Sequence, residues 1–463
     1  MVRLSGRVAS EHTGHRHAVA QAVVAIVVSY IACTLAFSLL AIGAASIPGV
    51  AIEDNVRRSA TELSSEGQYH RLLPEGEDWQ LDNYTTAIML NQAYHTAGNP
   101  VLSAAYNFQW HGPGNGDDQI SALQSGMSRT TGSITKAGWI AYGRYWHGYL
   151  VFLKPLLVCL DLQQIRMVLL VAFVALLGTS VVLLARSGGI AAGVLYLCSF
   201  VAANVIVAMF SLPFAPSFFL GLGATVFVQR HHGGRWDVCS GGSLVPWLVF
   251  YFVVGALTVY LDFLDTPIIT LGLPLCMQLY LDRWSIGRGS LPRVLLLVLG
   301  ASFCWALGYA GLMVTKWVLS TIVTGFNFMH DGLASAVYRS GSSAGTMRIG
   351  RLSAVGRNIS LLAHRWLALA LAAVALVAAV WGLSSHRLAR LHTASWWFLV
   401  PLAVVAVFPY AWYVAAANHS FVHAFITYRD QVVTLVALAL AAGCVLDRMA
   451  VSTSHAGEGE PVS

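Results

Sequence analysis

Apolar residues in this chain come in long unbroken runs rather than in alternation. The runs fall at about 19–44, 166–186, 189–209, 213–229, 245–263, 267–281, 293–318, 366–384, 396–416 and 431–447. Most approach the ~20 residues a helix needs to cross a bilayer core. Continuity favours helices over a transmembrane barrel, whose strands alternate apolar and polar positions. The pattern predicts ten transmembrane helices. The fourth and sixth are short and carry Pro213, Pro216, Pro267 and Pro274, so kinks or breaks shielded by neighbouring helices are expected there.

The polar segments between the runs are unequal. One of about 120 residues, 45–165, separates the first two helices, and 319–365 and 417–430 follow later. Short connections carry Arg230 and Arg235, then Arg283, Arg288 and Arg293, then Arg387 and Arg390, whereas those around 210–212 and 264–266 have no Lys or Arg. Together with Arg3, Arg7 and Arg16, this bias predicts that both termini are cytoplasmic and that the three long segments face the other side of the plasma membrane. The first run is too long for a signal-peptide core and reads as a retained helix. Residues 1–18 form a cytoplasmic N-terminus, 166–447 hold helices two to ten, and the Ser/Gly/Glu-rich tail 448–463 is expected to be disordered.

Composition supports a membrane protein. The chain is 57% hydrophobic and 10% charged, with a mean hydropathy of +0.65. A soluble domain is about 25% charged. The net charge of +6 is explained by cytoplasmic Lys and Arg, and no basic, aromatic-interleaved stretch suggests nucleic acid. The seven cysteines lie mostly within apolar runs and predict no disulfide framework.

Candidate chemistry gathers in the long segments. In Leu81-Asp82-Asn83-Tyr84-Thr85-Thr86, Asp82 opens an amphipathic helical pattern, with Thr86, Met89, Leu90 and Ala93 on one face. It can serve as a general base for a hydroxyl or simply cap the helix. The stretch from Trp139 to Pro155 reads as an amphipathic interfacial segment. Its Arg144, His147 and Lys154 can meet an anionic headgroup or pyrophosphate, or only anchor the interface. Asp262 and Asp265 stand at the end of the fifth run as acceptor-binding acids, metal ligands or solvated caps. The 319–365 segment has His330-Asp331 and Arg339, Arg348, Arg351, Arg357 and Arg365 around a Gly/Ser stretch, 340–345. That pattern suits a flexible loop closing over phosphate. In 417–430, His419 and His423 share a helical face and Arg429 lies at the mouth of the last helix. Arg429 suits a donor phosphate, with the two His as hydrogen-bond donors. A His-Glu-x-x-His zinc motif is absent, and a divalent metal stays open.

A first helix, a large extracytoplasmic loop with an acid leading a helix, the juxtamembrane Arg144-Tyr145-Trp146-His147-Gly148-Tyr149 and about nine further helices form a layout that resembles the GT-C superfamily. These are integral-membrane glycosyltransferases such as protein O-mannosyltransferases, aminoarabinose transferases and mycobacterial arabinosyltransferases. The resemblance implies an all-α polytopic enzyme that moves a sugar from a polyprenyl-phosphate donor to a cell-envelope glycan, glycolipid or glycoprotein acceptor. Asp82 would be the general base and the anomeric carbon would invert. Many members carry Asp-Glu or Asp-Asp at this acid. Here the pair is Asp82-Asn83, which keeps the base and puts a metal at this pair in doubt. The alternatives are a carrier or flippase for an envelope lipid, or a polysaccharide polymerase. An ion-coupled carrier should bury ionisable residues near mid-bilayer, and the centres of these runs have almost none.

Overall fold

The computed structural model describes residues 2–74, 76–112, 116–128, 138–233, 243–261, 265–344, 347–384 and 397–457. It is a helical membrane protein. A long first helix, α1 (Val2–Ala45), leads into a compact polar unit. That unit comprises α2 (Glu53–Glu66), α3 (Asn83–Tyr94), α4 (Pro100–Tyr106), α5 (Gln119–Gly126) and α6 (Leu150–Cys159), with a short antiparallel pair, β1 (Gln109–Trp110) and β2 (Trp139–Ile140). The bundle follows: α7 (Leu162–Gly188), α8 (Ile190–Ala202), α9 (Ala215–His231), α10 (Val245–Leu261), α11 (Ile268–Leu281) and α12 (Leu291–Thr324). After it come α13 (Phe328–Ser340), a two-residue hairpin of β3 (Ser343–Ala344) and β4 (Met347–Arg348), α14 (Arg351–Ala363) and α15 (Trp366–Ser384). Last are α16 (Leu399–Ala406), α17 (Phe408–Ala415), α18 (Ala417–Val422), α19 (Ala424–Thr427) and α20 (Val432–Gly457).

Among the described residues, four helices are long and apolar enough to cross a bilayer: Val19–Ala45, Leu162–Gly188, Leu291–Thr324 and Ala424–Leu446. A fifth counts if Arg351–Ala363 and Trp366–Ala375, bent by 95°, form one broken span. The other apolar runs also become helical but are shorter. The fourth run is preceded by a 3₁₀ segment, Val205–Phe210, and α9 starts only at Ala215, just before Pro216. The ninth breaks at Val407, ahead of Pro409. Short α11 tolerates Pro274 because residues 268–280 are buried within the protein, where neighbouring helices take over the backbone's polar groups.

Close helix packing rests on small residues, as it does in membranes generally. A Cβ on Gly255 of α10 would lie 2.0 Å from the Trp305 carbonyl oxygen of α12, and one on Gly308 of α12 would lie 2.2 Å from that of Phe252. The two glycines therefore let these backbones touch. Phe214, Trp247, Phe252, Tyr280 and Val433 fill the surrounding core.

The polar unit has its own core of Ile52, Val56, Leu63, Met89, Leu90 and Leu123. Arg166 of α7 clamps it to the bundle, bonding Glu62 at 2.9 Å, Glu66 at 2.8 Å and the Asn83 side-chain oxygen at 3.0 Å. The three long polar segments meet one another. Arg144 pairs with Asp331 at 3.1 Å, Arg357 with Glu77 at 3.0 Å, and Arg365 with Asp78 at 2.5 Å. The Asn418 N–H donates to the Gly341 carbonyl at 3.1 Å.

Four local expectations need correction. α3 is buried on nearly all sides and is not amphipathic, because the polar unit folds around it. Residues 139–149 are not helical: the segment pairs at β2 and then turns, with His147 at φ 51°, and a helix starts only at Leu150. The Gly/Ser-containing 319–365 segment is largely two helices, α13 and α14, joined by the hairpin. Asn327 caps α13 by accepting the His330 N–H. The tail is helical through Gly457, since extending an existing helix is far easier than nucleating one.

Candidate functional site

The long segments and the short turn before α11 enclose a cavity of about 90 Å³ lined by Asp82, Asp265, Arg339, His419 and His423, with Tyr69, Tyr84, Tyr142 and Tyr145 among its aromatic walls. These residues come from five stretches of chain far apart in sequence. Each arrives by a local device. Asp82 is the N-cap of α3 and accepts the Thr85 N–H at 2.8 Å and the Thr85 hydroxyl at 2.6 Å. Its own N–H donates to Ser211 Oγ at 3.1 Å, which fixes the cap against the bundle. Asp265 lies in the turn between α10 and α11, just ahead of Pro267. Arg339 occupies the last turn of α13, and His419 and His423 project from the α18 turn.

Asp82 is only 4% exposed. Burial pushes its carboxyl above the ordinary value, while the Thr85 bonds and the positive charge of Arg339 pull it down without cancelling the rise. Such a carboxylate binds a proton more strongly than an ordinary Asp. Arg339 Nη1 donates to His419 Nδ1 at 2.6 Å and to His423 Nε2 at 3.5 Å. A guanidinium has no acceptor, so these two ring nitrogens must accept. Burial, then the Arg339 charge, takes His423 down to about 3, and it is neutral at physiological pH. The His pair therefore aims a permanent cation into the cavity. As hydrogen-bond donors to a ligand, the expected role, they would have to use their other nitrogens.

A second, apolar recess of about 220 Å³ adjoins the first and shares Tyr145, Arg339 and His419 with it. Tyr309, Met313 and Trp317 of α12 form one wall and Trp412, Ala415 and Ala416 the other. Arg144 lines it, paired with Asp331 and stacked 4.2 Å over the Tyr142 ring. An apolar recess with Arg144 and Arg339 in its lining thus adjoins the cavity that holds Asp82.

Other expected residues lie elsewhere. Arg429 is fully buried, and its guanidinium donates to the carbonyls of Asn204 at 3.1 Å, Phe425 at 2.6 Å and Asp78 at 2.7 Å. It ties the last helix to the polar unit and lines neither cavity. His147 bonds Tyr149 Oη at 3.1 Å and the Tyr142 carbonyl at 2.9 Å, and burial takes it down to about 3. It braces the Tyr142 loop as a neutral ring and offers no cation. Lys154 is buried and lines neither cavity, its ammonium pulled down to about 8 by burial. Asp262 lies outside the described residues, as do Arg387 and Arg390.

Asn83 points away from Asp82. Its amide donates to Glu66 at 2.8 Å and to the Gly67 carbonyl at 2.9 Å, while its oxygen accepts from Arg166. The residue after the acid is a structural clamp, and an amide suits a site already holding two glutamates. No three His, Cys, Asp or Glu side chains gather as a metal site among the described residues, and the His pair faces a guanidinium that repels a cation. This donor set does not fit a divalent metal.

The sequence reading gave no role to the Tyr69–Tyr84 wall. Tyr69 and Tyr84 stack at 6.1 Å with rings 6° apart, and Phe425 meets Tyr69 edge-on. Tyr84 lies two residues after Asp82, but Tyr69 has no local signal. No family model, curated protein or solved structure matches this chain.

Proposed function

We propose that this chain is a membrane glycosyltransferase of GT-C-like plan. It would transfer a sugar from a polyprenyl-phosphate donor to a cell-envelope acceptor. The observation that carries this reading is one cavity lined by both a buried, basicity-enhanced Asp82 and a His-held Arg339, beside an apolar recess. The start of the donor's lipid chain suits the apolar recess beside α12. Arg339 and Arg144 suit the phosphate, which leaves with the electrons of the broken glycosidic bond and needs cations near it. Asp82 suits the acceptor hydroxyl, taking its proton as the oxygen attacks the anomeric carbon. The stacked Tyr69 and Tyr84 offer flat apolar faces for a sugar ring. Asp265 suits a second acceptor hydroxyl.

The same reading takes the ten apolar runs as ten crossings, with both termini cytoplasmic and the cavity on the opposite face of the plasma membrane. The mutual contacts of the three long segments support their lying on one side. A reporter at residue 120 should then read outside, and reporters at 233, 287 and 388 inside. A cytoplasmic signal at 120 overturns this placement.

The functional test is transfer by the purified full chain, presented with polyprenyl-phosphate sugars and lipid-linked or glycan acceptors. Asp82→Asn keeps the cap, because Asn caps about as well as Asp. It should reduce transfer by about two to four orders of magnitude, the range for a lost general base. Near-normal transfer by a folded Asp82→Asn rules Asp82 out as the base.

A further inference from the structure

On the α1 side of the polar unit, two lysines line spaces that no acid lines. Lys154 of α6 is 1% exposed, and among the described residues it has no hydrogen-bond or ion-pair partner. It lines a small recess of about 20 Å³ with Gln92, Thr96, Ser103 and Asn107. That is room for one oxygen-sized group. Next to it lies a cleft of about 200 Å³ between α1, α4 and α12, and the two spaces share Ala41, Ala104 and Trp146 as walls. Lys316 lines the cleft, donating to the Ala104 carbonyl at 2.6 Å and lying 5.7 Å from the Trp146 ring centre. The rest of the cleft is lipid-compatible: Ile42 on α1, Val101 on α4, and Leu319 and Val323 on α12. Neither lining contains an Asp or Glu.

A buried ammonium without a counter-charge is costly, and buried charges are normally paired. An anion from outside the chain would supply that partner. The geometry admits one oxygen at Lys154 and an apolar chain alongside. We propose that this is a binding site for an anionic phospholipid. One phosphate oxygen enters the recess at Lys154, Lys316 adds positive potential beneath it, and an acyl chain follows α1 and α12. A zwitterionic lipid would bring its own cation to a site lined by two lysines and no acid, so the site should select net-negative headgroups. This site shares no lining residue with the Asp82 cavity, and its occupancy does not depend on glycosyl transfer.

Native mass spectrometry of the full chain, with added phosphatidylglycerol, phosphatidylcholine or inorganic phosphate, tests it. The wild type should retain phosphatidylglycerol in preference to phosphatidylcholine. Lys154→Gln should weaken that retention by about tenfold or more, the effect of losing one charge-assisted bond. Val323→Trp leaves both lysines intact and fills the cleft, so it should weaken retention as well, which keeps the test open if Lys154→Gln does not fold. Equal retention of both lipids by the wild type, or undiminished phosphatidylglycerol retention in either variant, overturns the proposal. Inorganic phosphate that displaces nothing is the expected control. Phosphate that saturates the site equally in wild type and Val323→Trp shows a free-anion site and overturns the lipid assignment.

Discussion

Asp82 and Asp118 begin their helices in the same way. Asp118 caps α5 by accepting the Ser121 N–H at 3.1 Å and the Ser121 hydroxyl at 2.5 Å. Asp82 caps α3 through the corresponding two bonds from Thr85. Both read as Asp followed three residues later by a hydroxyl residue. Their acidities move in opposite directions. Asp118 is half-buried, and chiefly its Ser121 bonds take it below the ordinary value. Asp82 lies under the bundle and the 417–430 segment, where burial outweighs the same bonds. The cap motif is local, but the chemistry of the carboxylate is set by what packs over it.

The largest effect should separate these two caps directly. Asp82→Asn is expected to lose about two to four orders of magnitude in transfer, and Asp118→Asn to leave transfer unchanged. Comparable losses at both would mean that α3 and α5 matter only as scaffold. The next effect concerns the cation that lines the same cavity as Asp82. Arg339→Gln should lower kcat by about 10²–10³, as for loss of one electrostatic contact to a leaving oxygen. Arg429→Gln should instead lower the melting temperature, with transfer per folded molecule preserved, because it removes bonds to three buried carbonyls. If Arg429→Gln is folded and impaired in donor use while Arg339→Gln is not, the cation has been assigned to the wrong arginine.

Much of this site was legible in the sequence as residue types and little of it as geometry. Asp82, Asp265, Arg339, His419 and His423 stood out because polar residues are sparse and gathered in segments that the apolar runs place together. Their roles did not follow. Arg429 and Arg339 look alike as arginines in polar segments, and only packing puts one on three carbonyls and the other on two imidazoles. Asn83 read as a departure from an acidic pair, whereas it is held by Glu66 and Arg166, more than a helical turn away in sequence. Helix positions were legible because hydrophobic runs report burial or lipid contact. Crossing number was not, because a buried short helix such as α11 carries the same composition as a membrane span.

Asn83→Asp sharpens the point about local resemblance. It recreates the acidic pair but places a third carboxylate beside Glu62 and Glu66 around Arg166. Thermal unfolding should show a loss of about 1–3 kcal/mol, the range for a disrupted buried polar contact, with no gain in transfer or metal response. A metal-dependent gain would show that the amide does not merely clamp. Smaller still, Asp118→Ala should cost about 1 kcal/mol through the lost cap. Asp82→Asn should be neutral or stabilising at pH 7. The sign follows from its raised value: as pH rises past the unfolded-chain value near 3.9, the unfolded chain ionises first. Wild-type stability then falls until the folded carboxyl also ionises, and Asn at this position escapes that loss. A melting-temperature difference that does not widen in favour of Asp82→Asn across this window contradicts the burial account of Asp82.

The pH dependence of kcat/KM for the wild-type protein tests the central claim most directly, since it reports the acidity of the free enzyme's base. A buried Asp82 acting as base predicts an acidic limb with an apparent pKa above the ordinary aspartate value of about 3.9, absent from the residual activity of Asp82→Asn. A limb at or below that value, or one that persists unchanged in Asp82→Asn, contradicts it.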